Sequence, residues 1–301
     1  LMIVAVFSPP VQRAQRRWGR RTAMGLLGLV YASTLALLGY FIVPSITNQT
    51  VAVLEQAPMY ATRIQSWLGD HHLHLELTRQ VAQFGQLSSQ AGSWAPVAKN
   101  VFSGFYGMMA VIVLSLYLLI DADALVQGLL RLLPRERRLE VRRLGDKLVD
   151  QVGGYIRGQL ILSLLMGFSA GLVLTVLDVP AALPLAVLAG VADAIPVFGI
   201  WISGAASVLL ALAQAPWEAA VVLGFFIVYH LVEVYLLMPR IYRGTLGLSF
   251  SIVIVSFIAG IEVMGVLGAI LALPLAAMVP TLVTFIQEWH EPSPDPAEAL
   301  P

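Results

Sequence analysis

Five stretches of this chain carry no charge and are each long enough to cross a bilayer: Thr22–Leu54, Asn100–Ile120, Gly158–Leu177, Ala194–Trp217 and Val263–Gln287. A helix crosses about 30 Å of hydrocarbon in roughly 20 mostly apolar residues. A chain that folds in water breaks such runs with charge every few residues to keep an outer face wet. The composition agrees, with 58% hydrophobic and 12% charged residues and a mean hydropathy of +0.81. The pattern predicts an all-α protein, a polytopic transmembrane helical bundle. Broken or re-entrant helices are expected in its C-terminal half, and amphipathic extracytoplasmic helices between its early spans.

Several function classes drop out at once. The formal net charge is zero, so no basic excess points to nucleic acid. The chain has no cysteine, which removes disulfides, thiol catalysis and thiolate metal sites. No Walker-type glycine motif and no local Ser–His–Asp signature occurs, so neither ATP hydrolysis nor another enzyme activity is expected, and no cofactor. His71, His72 and His74 crowd together beside Asp70. They lack the partner spacing of a zinc site and read as solvated loop histidines.

Charge sets the orientation. Arg13, Arg16, Arg17, Arg20 and Arg21 fill one short segment, and Arg131, Arg135, Arg137, Arg138, Arg142, Arg143 and Lys147 fill another. Both lie near the ends of apolar runs, so the positive-inside rule places both in the cytoplasm. Helices at about 22–43 and 98–120 then run out and back, leaving residues 44–97 outside. Within that outer segment Val51, Leu54, Ala61, Ile64 and Leu68 repeat at helical spacing, followed by Leu73, Leu77, Val81, Phe84 and Leu87. Two amphipathic helices broken near Gly69 and Asp70 are predicted. They have three places to go: the membrane surface, each other, or a neighbouring subunit. Further on, Pro134 stops a short amphipathic piece and starts a new helix, which runs through Val141, Leu144, Leu148 and Val152 toward the next span.

Beyond Asp178 the apolar pieces shorten. Residues 181–193 and 198–213 flank Asp193-Ala194-Ile195-Pro196-Val197-Phe198-Gly199, and 246–261 precedes a run expected to break at Pro274. Irregular backbone at membrane depth is tolerated only inside protein or against a water-filled cavity. Short, Gly/Pro-interrupted segments are where transporters build their binding sites. Ionisable residues in such segments each cost on the order of 2.5–3.5 kcal/mol to insert and are candidates for function. Asp193, His230, Glu233 and Glu262 qualify. His230 and Glu233, three apart, share a helix face and are expected to pair, either relaying protons or holding a cation, or only pinning two helices. Asp193 is expected to cap the helix after the break. Glu262 is expected in a surface turn.

An ordered series of short motifs then stands out: Gly154-Tyr155-Ile156-Arg157-Gly158-Gln159, Asp193 to Gly199, Glu233, Met238-Pro239-Arg240-Ile241, Gly244, Leu246-Gly247-Leu248-Ser249, Gly265 with Gly268, and Leu273-Pro274. The series resembles the autoinducer-2 exporter family of bacterial membrane transporters over about 150–286. The resemblance implies secondary transport of a small solute, or cation/proton antiport with H⁺ or Na⁺, in the bacterial inner membrane by a homo-oligomer. Family members begin with a helical hairpin, and Leu1–Phe7 reads as the tail of such a helix whose start lies upstream. They often carry Asn where this chain has Asp193.

The expected pathway residues are Asp193, Pro196, Gly199, His230, Glu233, Pro239, Gly265, Gly268 and Pro274. The expected layout is 1–43, the end of a hairpin helix, a basic loop and a span; 44–97, extracytoplasmic amphipathic helices; 98–157, a span and cytoplasmic amphipathic helices; 158–288, the transport core; and 289–301, a Pro-rich disordered tail. Two other functions fit the same hydropathy: a passive oligomeric channel, and a membrane scaffold whose outer helices 51–87 bind another protein.

Overall fold

The computed structural model describes residues 20–70, 124–195, 199–241 and 250–290, with isolated positions 103, 107 and 114. Among these residues every regular element is a helix. They are α1 (Arg20–Asp70), a 3₁₀ turn at Arg135–Arg137, α2 (Arg138–Val176), α3 (Ala182–Ala192), α4 (Gly199–Gln214), α5 (Pro216–Val232), a π turn at Glu233–Leu237, α6 (Met238–Ile241) and α7 (Phe250–His290). The described chain forms two compact units. One holds α1, α2 from Gln159 onward and α3 to α6; the other holds residues 124–158 and α7.

The first unit is built on α2. Leu162, Met166, Ala170 and Leu174 recur every fourth residue on its inner face and are fully buried. Leu164, Phe168, Leu172 and Val176 recur on the opposite face and stand exposed. A helix apolar on both sides has its outer face in lipid. Against the inner stripe pack Leu185 and Ala189 of α3, Ile200 and Ala211 of α4, and Val222 and Phe226 of α5. The close approaches of α2 to α3 run from Gly167–Gly190 to Gly171–Ala186, rising on one helix as they fall on the other, so the two are antiparallel. Gly204 against Phe226 and Trp201 against His230 show the same for α4 and α5.

Length decides which helices span. α3 has 11 residues and α4 has 16, about 16 Å and 24 Å at 1.5 Å per residue, and neither crosses about 30 Å of hydrocarbon. They form a re-entrant hairpin whose tip is the segment from Asp193 to Gly199. Its open end is tied to the turn after α2, where Gln214 Nε2 donates to the Asp178 carbonyl at 3.1 Å. By contrast α5 continues through the π turn and α6 to Ile241 as a mostly apolar helix of 26 residues, long enough to cross.

α1 is a single helix of 51 residues, about 76 Å. The apolar run at 22–43 continues through Pro44 and Pro58 into the amphipathic stretch without a break. There Tyr60, Ile64 and Leu68 bury one face against Ala213, beside Leu210 and Leu212 of α4. This face of the helix thus packs on the open end of the re-entrant hairpin. Its expected partner helix at 73–87 lies outside the described residues, as do the histidines at 71–74.

In the second unit the early half of α2 runs along the later half of α7. Gln151 joins them, donating through Nε2 to the Ala277 carbonyl at 2.7 Å and accepting from Thr281 Oγ1 at 2.9 Å. α7 does not break at Pro274, as its sequence suggested. It breaks at Gly265, whose φ of 61° and ψ of −139° no helix contains. Proline costs a helix one hydrogen bond, which membrane helices absorb; a residue at that φ and ψ reverses the chain. The arms Ser251–Gly265 and Gly268–Trp289 fold back so tightly that a methyl group on Gly260 or Gly268 would collide with the other's carbonyl. This is a second hairpin: its first arm, about 22 Å long, is too short to cross, and its second, Gly268–Trp289, has 22 residues and is long enough. Glu262 sits in helix just before this turn and faces outward, rather than in the turn itself.

These contacts set a stability test. Gly268→Ala forces two backbones apart, and Gly265→Ala holds an alanine in a region costing about 1–3 kcal/mol. Both should lower the thermal midpoint of the detergent-purified protein by several degrees. Gly145→Ala, in open space on α2, should leave it unchanged or raise it, because alanine favours helix by roughly 1 kcal/mol.

Candidate functional site

The tip of the first hairpin carries a buried carboxylate. Asp193 is only 8% exposed, and it is held from α2 rather than from its own hairpin. Its Oδ2 accepts from Gln159 Nε2 at 3.2 Å and from Ser163 Oγ at 3.3 Å. Gln159 Nε2 also reaches the Asp193 backbone carbonyl at 3.0 Å. The expected cap on the following helix is not made among the described residues. The reason is local: Asp193 keeps helical angles (φ −55°, ψ −26°) and ends α3, whereas an N-cap residue needs extended backbone to aim its carboxylate forward.

Glu233 is the second buried acid, 5% exposed. It opens the π turn, a feature that often marks functional sites. One turn earlier on the same face, Tyr229 donates its hydroxyl to the Leu162 carbonyl of α2 at 3.4 Å. Since α2, α3, α4 and α5 alternate in direction, the step from Tyr229 to Glu233 descends toward the level of Gln159. The two acids therefore approach one depth from different helices. Among the described residues neither meets an arginine or lysine.

The expected His230–Glu233 pair does not form. His230 turns to Trp201 of α4, with ring centroids 5.6 Å apart and edge-on, and its buried Nδ1 has no hydrogen-bond partner. Glu233 instead falls in line with Tyr229, to whose carbonyl its backbone N–H is bonded as in regular helix, while His230, one residue further round, is taken by Trp201. Gly199 opens α4 in contact with the Ala192 carbonyl, where a side chain would collide. Pro196 lies outside the described residues. Pro239 sits exposed in α6, away from the acids' buried face. Gly265, Gly268 and Pro274 belong to the other unit and shape its hairpin.

Four residues of this neighbourhood were not among the expected pathway residues: Gln159, which closes the first of the motifs above, Ser163, Tyr229 and Trp201. A signal existed for two of them. Gln159 and Ser163 stand four apart in an otherwise apolar span, and polar groups at that spacing share one face.

Removing the donors should expose the strain of the buried acid. Gln159→Leu with Ser163→Ala strips Asp193 of its described side-chain partners, a loss of about 1–3 kcal/mol for a buried polar group. Asp193→Asn keeps an amide oxygen that accepts both bonds. Thermal unfolding in detergent should therefore show a clear drop for the double variant and little change for Asp193→Asn.

The comparisons with known proteins bear on the same residues. A family model described as AI-2E family transporter matches residues 1–288. Three relatives are each named a "putative transport protein". YrrI of Bacillus subtilis is 26% identical over 80% of this chain and 71% of its own length. YueF of the same organism is 23% identical over 91% and 79%. MT0215 of Mycobacterium tuberculosis is 28% identical over 92% and 78%. The matched region includes both hairpins and both buried acids, and on it this membrane-embedded chain belongs to the AI-2E transporter family.

Proposed function

We propose that this chain is a secondary transporter, an exporter of a small solute coupled to H⁺ or Na⁺, working as a homo-oligomer in the bacterial inner membrane. The observation that carries the proposal is the pair of buried carboxylates, Asp193 at the hairpin tip and Glu233 on the π turn, without a basic partner among the described residues. A carboxylate in that setting is stabilised by whatever neutralises it, a proton or a small cation. Neutral donors from Gln159, Ser163 and Tyr229 surround the place where that exchange would occur.

On this reading the tip from Asp193 through Pro196 to Gly199 forms one wall of the pathway and the face carrying His230 and Glu233 forms another. Pro239 ends the second wall. Gly265 and Gly268 give the second hairpin the tight turn a moving element needs, and Pro274 lies in its second arm. No nucleotide-binding glycine motif is present in the sequence, so an ion gradient is the energy source that fits.

Flux in proteoliposomes tests this. Proton movement driven by an imposed Na⁺ gradient should be measurable for the wild type. It should fall at least about tenfold, the factor that roughly 1.4 kcal/mol carries, for Glu233→Gln in a protein that still unfolds cooperatively. Asp193→Asn should change which ion supports flux more than it changes folding. If both variants transport like the wild type, the pathway lies elsewhere. Current in discrete single-channel steps would replace the carrier with a pore.

A further inference from the structure

Independently of that reading, we propose that the elbow joining residues 124–131 to the start of α2 binds the headgroup of an anionic phospholipid. The elbow carries a shallow, open groove of about 380 Å³, the space of about a dozen waters at roughly 30 Å³ each. Arg131, Arg135, Arg138 and Arg142 line it together with Leu130 and Leu139, and no acidic residue does. Arg135, Arg138 and Arg142 follow one face of the 3₁₀ turn and α2, and Arg131 flanks the groove from the preceding helix.

The four arginines have different tasks. Arg138 is structural: its Nε donates to the Leu133 carbonyl at 3.0 Å and a terminal nitrogen to the Arg131 carbonyl at 3.2 Å. It thereby holds the elbow closed around Pro134. Arg131, Arg135 and Arg142 form no ion pair among the described residues. Guanidinium groups are planar forks whose geometry matches phosphate oxygens, and three of them converge here with no acidic residue among the described residues that line the space.

The neighbouring cavity shows what compensation looks like. Between α2 and α7 lie Arg143 and Lys147, but Glu140 and Glu288 line the same space, so charge there is balanced within the protein. Glu140 faces that balanced cavity and not the elbow. Arg137 is likewise occupied, 4.1 Å above the Trp289 ring.

The surroundings name the ligand as a lipid. Leu129, Leu132 and Leu139 are 66, 82 and 58% exposed beside the arginines, an arrangement unfavourable in water and natural at the boundary of headgroups and acyl chains. The arginine excess places this elbow at the cytoplasmic leaflet, whose anionic lipids attract basic segments next to membrane helices. A phosphate on the guanidinium groups with acyl chains along the leucines satisfies both halves of the site.

The test uses the full chain in mild detergent, titrated with phosphatidylglycerol and, separately, with phosphatidylcholine of the same chains. Binding is followed by the shift in thermal midpoint. The wild type should respond to phosphatidylglycerol at much lower concentration. At about fivefold per arginine, the equivalent of about 1 kcal/mol each near an anionic surface, Arg131→Gln/Arg135→Gln/Arg142→Gln should weaken that response on the order of 100-fold. Arg138 is left in place so that the elbow keeps its shape, and Arg143→Gln/Lys147→Gln, which removes charge from the balanced cavity, should bind like the wild type. Equal response to the two lipids, or wild-type affinity in a triple variant with an unchanged starting midpoint, would overturn the proposal. So would equal loss in the second variant. An equal response to soluble glycerol phosphate would identify a free phosphoester site and reject the lipid.

Discussion

Inside a bilayer no water is available to satisfy a backbone N–H or C=O, and the architecture follows from where this chain must leave a carbonyl or amide without a helical partner. The long helices solve the problem internally, residue by residue. The short ones cannot. α3 and the first arm of α7 stop after 11 residues and about 15 residues respectively, and each stop exposes terminal backbone groups. At the first hairpin the solution is visible in one side chain. Gln159 of α2 donates to the backbone carbonyl of Asp193 and to its carboxylate as well. The residue that repairs the interrupted helix is thus the residue that holds the buried charge.

That arrangement depends on how closely α2 and α3 approach. Burial of apolar surface drives little association among lipid tails, so membrane helices gain from small residues that let backbones touch. Gly190 lies against the Ser163 carbonyl, and Gly167 faces Gly190 across the interface. Three residues beyond Gly190 comes Asp193, within reach of Ser163 Oγ and Gln159 Nε2 only because the helices are that close. Packing at the glycines and polarity at the tip are one construction. A larger side chain at 190 would move the carboxylate's donors away without touching the carboxylate.

Much of the fold was legible because hydropathy is a statement about solvent. The uncharged runs at 158–177 and 263–287 became α2 and α7, and the short pieces around Asp193 became a hairpin. Local backbone details were less legible. Pro274 looked like the break in α7 since proline removes a donor, yet the backbone reverses at Gly265, where what counts is a left-handed φ invisible in composition. His230 and Glu233 looked paired because a helix brings i and i+3 near each other, but His230 is taken by Trp201 of a neighbouring helix, which its own helix's spacing does not show. Asp193 was recognised as out of place in an apolar run, but its partners sit 30 and 34 residues earlier in the chain. Spacing arguments reach one helix at a time, and this site is made by two.

The two acids are held differently, and the difference follows from the backbone beneath each. Asp193 ends a helix, so its position is fixed by the main chain and by donors on α2 that bond both its carbonyl and its carboxylate. Glu233 lies within a continuous span, on the inner row that runs through Val222, Phe226 and Tyr229, while Val234, Tyr235 and Leu236 remain exposed. Its own N–H is still bonded to the Tyr229 carbonyl, so regular helix sets its direction, and the π turn that opens with it widens the helix only toward Met238. That row keeps the charge off the lipid-facing side, where insertion would cost on the order of 2.5–3.5 kcal/mol. The sequence tolerates an acid at 233 because it falls on the face turned to α2. An acid at 193 is tolerated for another reason: a neighbouring helix supplies the donors that the end of α3 lacks.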